Sequence, residues 1–367
     1  MAKSIKQSAA AKPTEVRAIW VWGYTVHEEG AEKVVENLVK YKFNTVILLI
    51  KGGAGEFSFK SSVAQNTSNK RDILQEMITA CHKRGIAVHA WFMFHGDKRW
   101  VDSHPDEAAY KAGDTAKWAA GPVPAASEKV CPLAPGYREY FKQLVGDVLD
   151  NYAVDGIHLD GIRYTHINYC FCPRHQQKAK ELGINLDHLR TLVHDSLFVK
   201  DMAKGAYVEA YKNGDPDVVR WVDQRDDEIT SMTNEIKELI LKKKPTVKLS
   251  AALMPEGGEA YDGFALCYYG QNYRRLGRSL DFICPMSYEG SFGKKSDWVV
   301  DIAKRAEAET GKPVYAGIQG FTAEGNAKPF TAAGFKATLQ AIRKNQIPGF
   351  VIFRYGSMTD GMLKALK

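Results

Sequence analysis

The sequence predicts a single (β/α)8 barrel, and three observations carry that expectation. Eight short β-rich runs alternate with amphipathic helical stretches along nearly the whole chain. The runs are continuously apolar rather than strictly alternating, as in parallel strands covered on both faces. No Gly-rich phosphate turn follows the first run, which removes the main argument for an open, doubly wound sheet.

In order, the runs are Val16–Gly23 (VRAIWVWG), Thr45–Lys51 (TVILLIK), Ala87–Phe94 (AVHAWFMF) and Gly156–Asp160 (GIHLD). Val247–Leu253 (VKLSAAL), Phe282–Tyr288 (FICPMSY), Pro313–Ile318 (PVYAGI) and Gly349–Tyr355 (GFVIFRY) complete the set. Helical patterns at Ala31–Lys40, Lys70–Arg84, Gly136–Asn151, Asp226–Lys244, Asp297–Thr310 and Thr331–Lys344 lie between them. Repeated strand–helix units of this kind imply a parallel sheet, and eight units fit a barrel. Gly52-Gly53-Ala54-Gly55 after the second run lacks dinucleotide-binding spacing and reads as a flexible loop. Residues 1–14 read as a disordered leader and 15–367 as the barrel, with a helical, cysteine-containing insertion at 165–225. A second long connection, 96–135, follows the third run; long connections in compact domains tend to carry function.

Bulk properties narrow the function classes. The chain has 367 residues, 45% hydrophobic, with 31 glycines, as expected of a globular protein with a sizeable core. Its formal charge of +7 is scattered apart from Lys242-Lys243-Lys244, which ends a helix and suits its C-terminal dipole. No aromatic-plus-basic pattern argues for nucleic acid. No apolar run is long enough to span a membrane. The start, MAKSIKQSAAAKPTEV, lacks an apolar signal core and reads as a leader or the scar of a removed export signal, which leaves a secreted or periplasmic location open. Nothing in the sequence speaks to oligomeric state.

Candidate chemistry gathers at the ends of the runs. Asp155-Gly156 turns the chain into the fourth strand, where His158 and Asp160 share one face and Ile157 and Leu159 the other. An acid at the C-terminal end of a buried strand is costly packing material, and in a barrel that end holds the active site. Its alternative role is to cap the next helix or to pair with Arg163. Glu256 follows the fifth run in LMPEGG and Glu289 the sixth in PMSYEG; Lys51, His95 and Arg354 end the second, third and eighth. Two carboxylates facing a sugar are what glycosidic cleavage needs, one to attack or stabilise the anomeric carbon and one to protonate the leaving oxygen. Arg163 and His158 are cations that could keep Asp160 ionised. Trp22, Trp91, Trp100, Trp118, Tyr164 and Tyr288 can stack on pyranose rings or serve as ordinary packing. Cys170, Cys172 and His175, with Cys131 as a fourth ligand, could hold a structural zinc; a disulfide or free thiols would use the same residues. Catalysis by paired carboxylates needs no cofactor.

DGIHLDGIRY resembles the signature of the glycosyl-hydrolase-like (GHL, "family 10 glycosylhydrolase") barrels. VRAIWVW, GIAVHAWF, VCPLAPGYREY, WVDQRDDEIT and DFICPMSYEG extend the likeness from Val16 onward, and YCFCPRH is similar to the cysteine-rich insert of related barrels. The resemblance implies a distant kinship with the alpha-amylase and alpha-galactosidase groups and places the nucleophile at Asp160. The acid/base would be Glu256 on an amylase-like plan and Glu289 on a galactosidase-like one; PMSYE, the stronger motif, favours Glu289. Two departures, Gly161 for an aromatic and Thr165 for a proline, are expected to widen the pocket. The expectation is therefore a retaining glycoside hydrolase acting on a poly- or oligosaccharide. A non-catalytic glycan-binding barrel is one alternative. An aldolase or isomerase with Lys51 as a Schiff-base lysine is another.

Overall fold

The computed structural model describes residues 15–64, 71–112, 123–124, 129–197, 204–255, 264–323 and 329–367. Eight parallel strands form one sheet: β1 Val16–Trp22, β2 Thr45–Lys51, β3 Ala87–Met93, β4 Gly156–Asp160, β5 Lys248–Leu253, β6 Phe282–Pro285, β7 Tyr315–Gln319 and β8 Gly349–Phe353. Neighbours run β6-β5-β4-β3-β2-β1-β8-β7. Parallel bridges Ile283–Val314 and Met286–Gly317 join β6 to β7 and complete the ring. The predicted barrel is present. Its sixth strand is shorter than expected, because Ser287 N bonds Pro285 O and Tyr288 N bonds Met286 O at 2.8 and 2.9 Å, curling the chain out of the ladder.

The barrel is filled from inside by Ala18, Trp20, Ile47, Trp91, Cys284 and Val351, among others. Strand residues of opposite phase, such as Ile157 and Leu159 on β4, pack outward against the helices in the main core. That is the two-faced burial that continuous apolar runs predict. Trp20 is fully buried, and its ring lies 6.4 Å from Trp91 and 5.9 Å from His158, centroid to centroid. These three rings plug the barrel below its C-terminal mouth.

The helix before β5 spans Pro216–Lys243 and starts well before the expected Asp226. Asp215 accepts from the backbone N–H groups of Asp217 and Val218, and Pro216 supplies the first helical residue. The last part of the expected 165–225 insertion therefore belongs to a barrel helix. The rest of the insertion buries Phe171, Leu189, Val193, Tyr207 and Val208 with Trp221 of that helix in a separate small core.

Candidate active site

Asp160 ends β4 on the same face as His158, as strand alternation predicts. Its Oδ1 accepts from Gly161 N at 2.6 Å and lies 3.5 Å from the Arg163 guanidinium. Among the described residues no hydrogen bond or ion pair takes Oδ2. Below it, Trp20 Nε1 donates to His158 Nε2 at 3.2 Å. An indole can only donate, so His158 carries its proton on Nδ1 and donates it to Ser250 Oγ at 2.8 Å. Left unpaired, these buried groups would cost about 1–3 kcal/mol each. Burial, with a smaller contribution from His89, holds the His158 pKa well below the ordinary value. His158 is therefore a neutral floor to the site, not the cation expected beside Asp160.

Gly161 does not widen the pocket. It has φ +61°, and a Cβ placed on it would sit 1.9 Å from His95 Nδ1 and 2.8 Å from Met93 Sδ. The room left by the missing aromatic is filled by His95 from the end of β3. His95 is 8% exposed, and its Nδ1 has no hydrogen-bond partner. Burial, then the charge of Arg163, pushes its pKa well below the ordinary range.

Across the mouth the chain brings together aromatic and cationic groups. Arg354 lies over the Trp22 ring at 3.3 Å, joining the ends of β8 and β1. Tyr288 stacks on Phe353 at 5.5 Å, and Phe321 and Phe353 meet at 6.1 Å. Sequence reasoning named Trp22, Tyr288 and Arg354 but missed Phe353 and Phe321. Phe353 could have been found from its alternation with Val351 on β8. A cavity of about 330 Å³ opens beside β1 and β2, lined among others by Tyr24, His27, Leu49, Glu56 and Arg99.

Three expected substrate contacts lie elsewhere. Lys51 is fully buried: its Nζ donates to Met93 O, Gly96 O and Tyr137 Oη at 2.8, 2.5 and 2.8 Å and pairs with Asp97 at 3.2 Å. A register shift between Leu49 and Lys51 turns the lysine out of the interior phase, to pair with the outward Phe92. Burial lowers its pKa, yet all its donors are engaged within the protein, so it reaches neither a sugar nor a carbonyl substrate. Trp100 is stacked between His104 at 3.9 Å and Tyr140 at 4.5 Å, while its Nε1 donates to Glu107 at 2.8 Å; no face is left for a pyranose. Glu107 also accepts from Gly136 N and Tyr137 N at 2.8 Å, a carboxylate on a helix N-terminus that the sequence reading missed. Tyr164 is 1% exposed and its hydroxyl donates to Glu228, away from the mouth.

The second acid has its own surroundings. Glu289 is 2% exposed, its Oε1 accepts from Thr338 on the Ala332–Lys344 helix, and its Oε2 is buried without a partner among the described residues. Desolvation raises its pKa to about 7. Among the described residues no hydrogen bond joins Glu289 to Asp160. Glu256 and Trp118 lie outside the described residues. Cys131, Cys170, Cys172 and His175 come together in one buried cluster.

Comparison with known proteins places the chain in a family and its fold among known barrels. The chain is 27% identical to the glycosyl hydrolase YngK of Bacillus subtilis (strain 168), a match covering 48% of this chain and 39% of that protein. It is 23% identical to an S-layer-related protein of Niallia circulans, over 75% of this chain and 18% of that one. The chain thus spans well under half the length of either relative. In fold it is similar to the PgaB (BpsB) glycoside hydrolase domain of Bordetella bronchiseptica, with TM-score 0.66, 13% identity, and 93% and 94% of the two chains covered. The model of the glycosyl hydrolase-like 10 family matches residues 15–324, which takes in the ends of β1, β3, β4 and β6 that carry Trp22, His95, Asp160 and Glu289. The chain belongs to the glycosyl hydrolase-like 10 family.

Proposed function

We propose that this chain is a retaining glycoside hydrolase that cleaves a poly- or oligosaccharide, with Asp160 as nucleophile and Glu289 as general acid/base. The observation that carries the reading is the Asp160 carboxylate, set at the C-terminal end of β4 with one oxygen anchored by Gly161 N–H and faced by Arg163, and the other without a partner among the described residues. Oδ2 attacks the anomeric carbon while the Glu289 proton passes to the leaving oxygen. Water, deprotonated by the Glu289 carboxylate, then cleaves the glycosyl ester and returns Asp160 to its starting form. A carboxyl held at about 7 suits a proton donor at neutral pH. To reach the glycosidic oxygen it must rotate off Thr338 when sugar fills the mouth. Trp22 and Tyr288 flank that sugar. The S-layer-related relative accords with a location outside the cytoplasm.

One observation favours a second reading. The Glu289 carboxyl is bonded from behind by Thr338, so a barrel that binds glycan without cleaving it has the same aromatic rim and, among the described residues, no second acid bonded beside Asp160. Turnover of a glycan panel, followed by release of reducing ends, separates the two. Wild type is expected to cleave at least one glycan, and Asp160→Asn to bind it in calorimetry without turning it over. Binding with no turnover by wild type on any member, and unchanged binding by the variant, would establish the binding barrel instead.

A further inference from the structure

Four side chains from two separate stretches meet behind the end of β4. Cys131 comes from the connection after β3, Cys170 and Cys172 from the connection after β4, and His175 from the Pro173–Glu181 helix. One ligand atom of each lies within 4.8 Å of the others, all four residues are completely buried, and the three cysteines are unpaired. Cys131 Sγ is 3.5 Å from Cys172 Sγ and 3.5 Å from His175 Nδ1; Cys172 Sγ is 3.3 Å from the same nitrogen. Around a metal with bonds of about 2.0–2.3 Å, tetrahedral ligands stand roughly 3.3–3.8 Å apart. The observed edges fall at that spacing.

The imidazole orientation is an independent observation. His175 Nε2 lies 3.1 Å from Glu228 Oε2 and 2.7 Å from Tyr164 Oη, and the Tyr164 hydroxyl donates its own proton to Glu228. His175 therefore donates from Nε2, and Nδ1 is the ring nitrogen that faces the sulfurs. A carboxylate behind the far nitrogen is what orients metal-bound histidines. Cys170 Sγ accepts the Tyr110 backbone N–H at 3.4 Å.

We propose that Cys131, Cys170, Cys172 and His175 bind one structural zinc ion. Three soft sulfurs and one imidazole, four ligands in all, select Zn2+ over oxygen-seeking cations. The site is closed, with four protein ligands and no face open to solvent, so it fastens structure and takes no substrate. Binding displaces the three thiol protons to solvent as the three metal–sulfur bonds form. The ion clamps the two long connections to each other. Through Glu228 and Tyr164 it also ties the end of the DGIRY segment, and with it Asp160 and Arg163, to the Pro216–Lys243 helix.

The test is metal content of the full chain purified under reducing conditions. About one zinc per chain is expected, and replacement by Co2+ should give thiolate-to-cobalt charge-transfer bands and tetrahedral d–d bands. Cys172→Ser should lose the metal, whereas Cys81→Ser, a buried thiol outside the cluster, should keep it. Should Cys172→Ser fail to fold, Glu228→Gln keeps all four ligands. Its zinc should pass to a chromophoric chelator with an affinity about 10–100-fold weaker than wild type. A folded wild-type chain that holds no metal and takes up neither Zn2+ nor Co2+ overturns the site, as does a disulfide between Cys131 and Cys172 found by thiol titration.

Discussion

The ends of β4 and β6 each deliver a carboxylate from an apolar strand, into opposite surroundings. Asp160 stands at the mouth with one oxygen on a backbone N–H, a guanidinium at 3.5 Å and a second oxygen without a partner among the described residues. Glu289 is held by one hydroxyl, has one orphaned oxygen, and titrates near 7 because water is excluded from it. Local backbone geometry makes the difference. β4 keeps its pleat to its last residue, so Asp160 stays on the interior face with His158. The chain after β6 curls through two tight turns, and Glu289 meets the helix layer. Environments that separate two acids in this way assign the attacking and the proton-donating role, and each assignment can be broken separately.

The largest effect is expected at the β4 end. Asp160→Asn should lower turnover by at least about 10³-fold with the fold intact. Asp160→Gly should regain turnover when azide is added, giving a glycosyl azide as product. Activity near wild type in the Asn variant breaks the assignment.

At the β6 end the expected loss depends on the substrate. Glu289→Gln should cost about 10²–10⁴-fold on glycosides with alcohol leaving groups. On aryl glycosides whose leaving group departs without a proton the loss should be much smaller. If Glu289→Gln behaves as wild type and Glu256→Gln shows this pattern, proton donation belongs to the β5 end.

Stability against pH offers a smaller effect that needs no substrate. The Glu289 carboxyl has its pKa raised in the folded chain from 4.5 to about 7, so the native state holds its proton where the unfolded chain has lost it. Its contribution is complete below 4.5 and is lost as pH rises to about 7, above which it stays lost. Denaturant midpoints across that window should therefore fall more steeply in wild type than in Glu289→Gln. Parallel curves would mean that the carboxyl is solvated.

These contrasts show what the residue order conveys and what it does not. Strand alternation places His158 and Asp160 together because β4 is regular. Lys51 also ends a strand, but the register shift beside it is a two-strand property with no mark in TVILLIK. The motif DGIRY suggests that Tyr164 belongs with the substrate. Its hydroxyl instead answers to Glu228, far along the chain, and such pairings depend on the packing of the Pro216–Lys243 helix. The spacing of Cys170, Cys172 and His175 was readable as a cluster, whereas the orienting role of Glu228 was not.

Gly161 lies between the β4 end and the β3 end, and it gives the smallest predicted effect. The residue has φ +61° and supplies the N–H that anchors Asp160 Oδ1. In Gly161→Ala the left-handed backbone costs about 1–2 kcal/mol, and the new methyl meets His95 Nδ1 at 1.9 Å. That nitrogen has no hydrogen bond to lose, so the imidazole can swing aside, but it is buried and must displace its neighbours. The two costs separate in a double variant. His95→Ala should recover the steric part of the Gly161→Ala loss in melting temperature and leave the backbone part, a non-additivity that only contacting residues show. Strictly additive losses would mean that His95 does not occupy the space beside Gly161, and the pocket at the β4 end would then be wider than the β4–β3 contact allows.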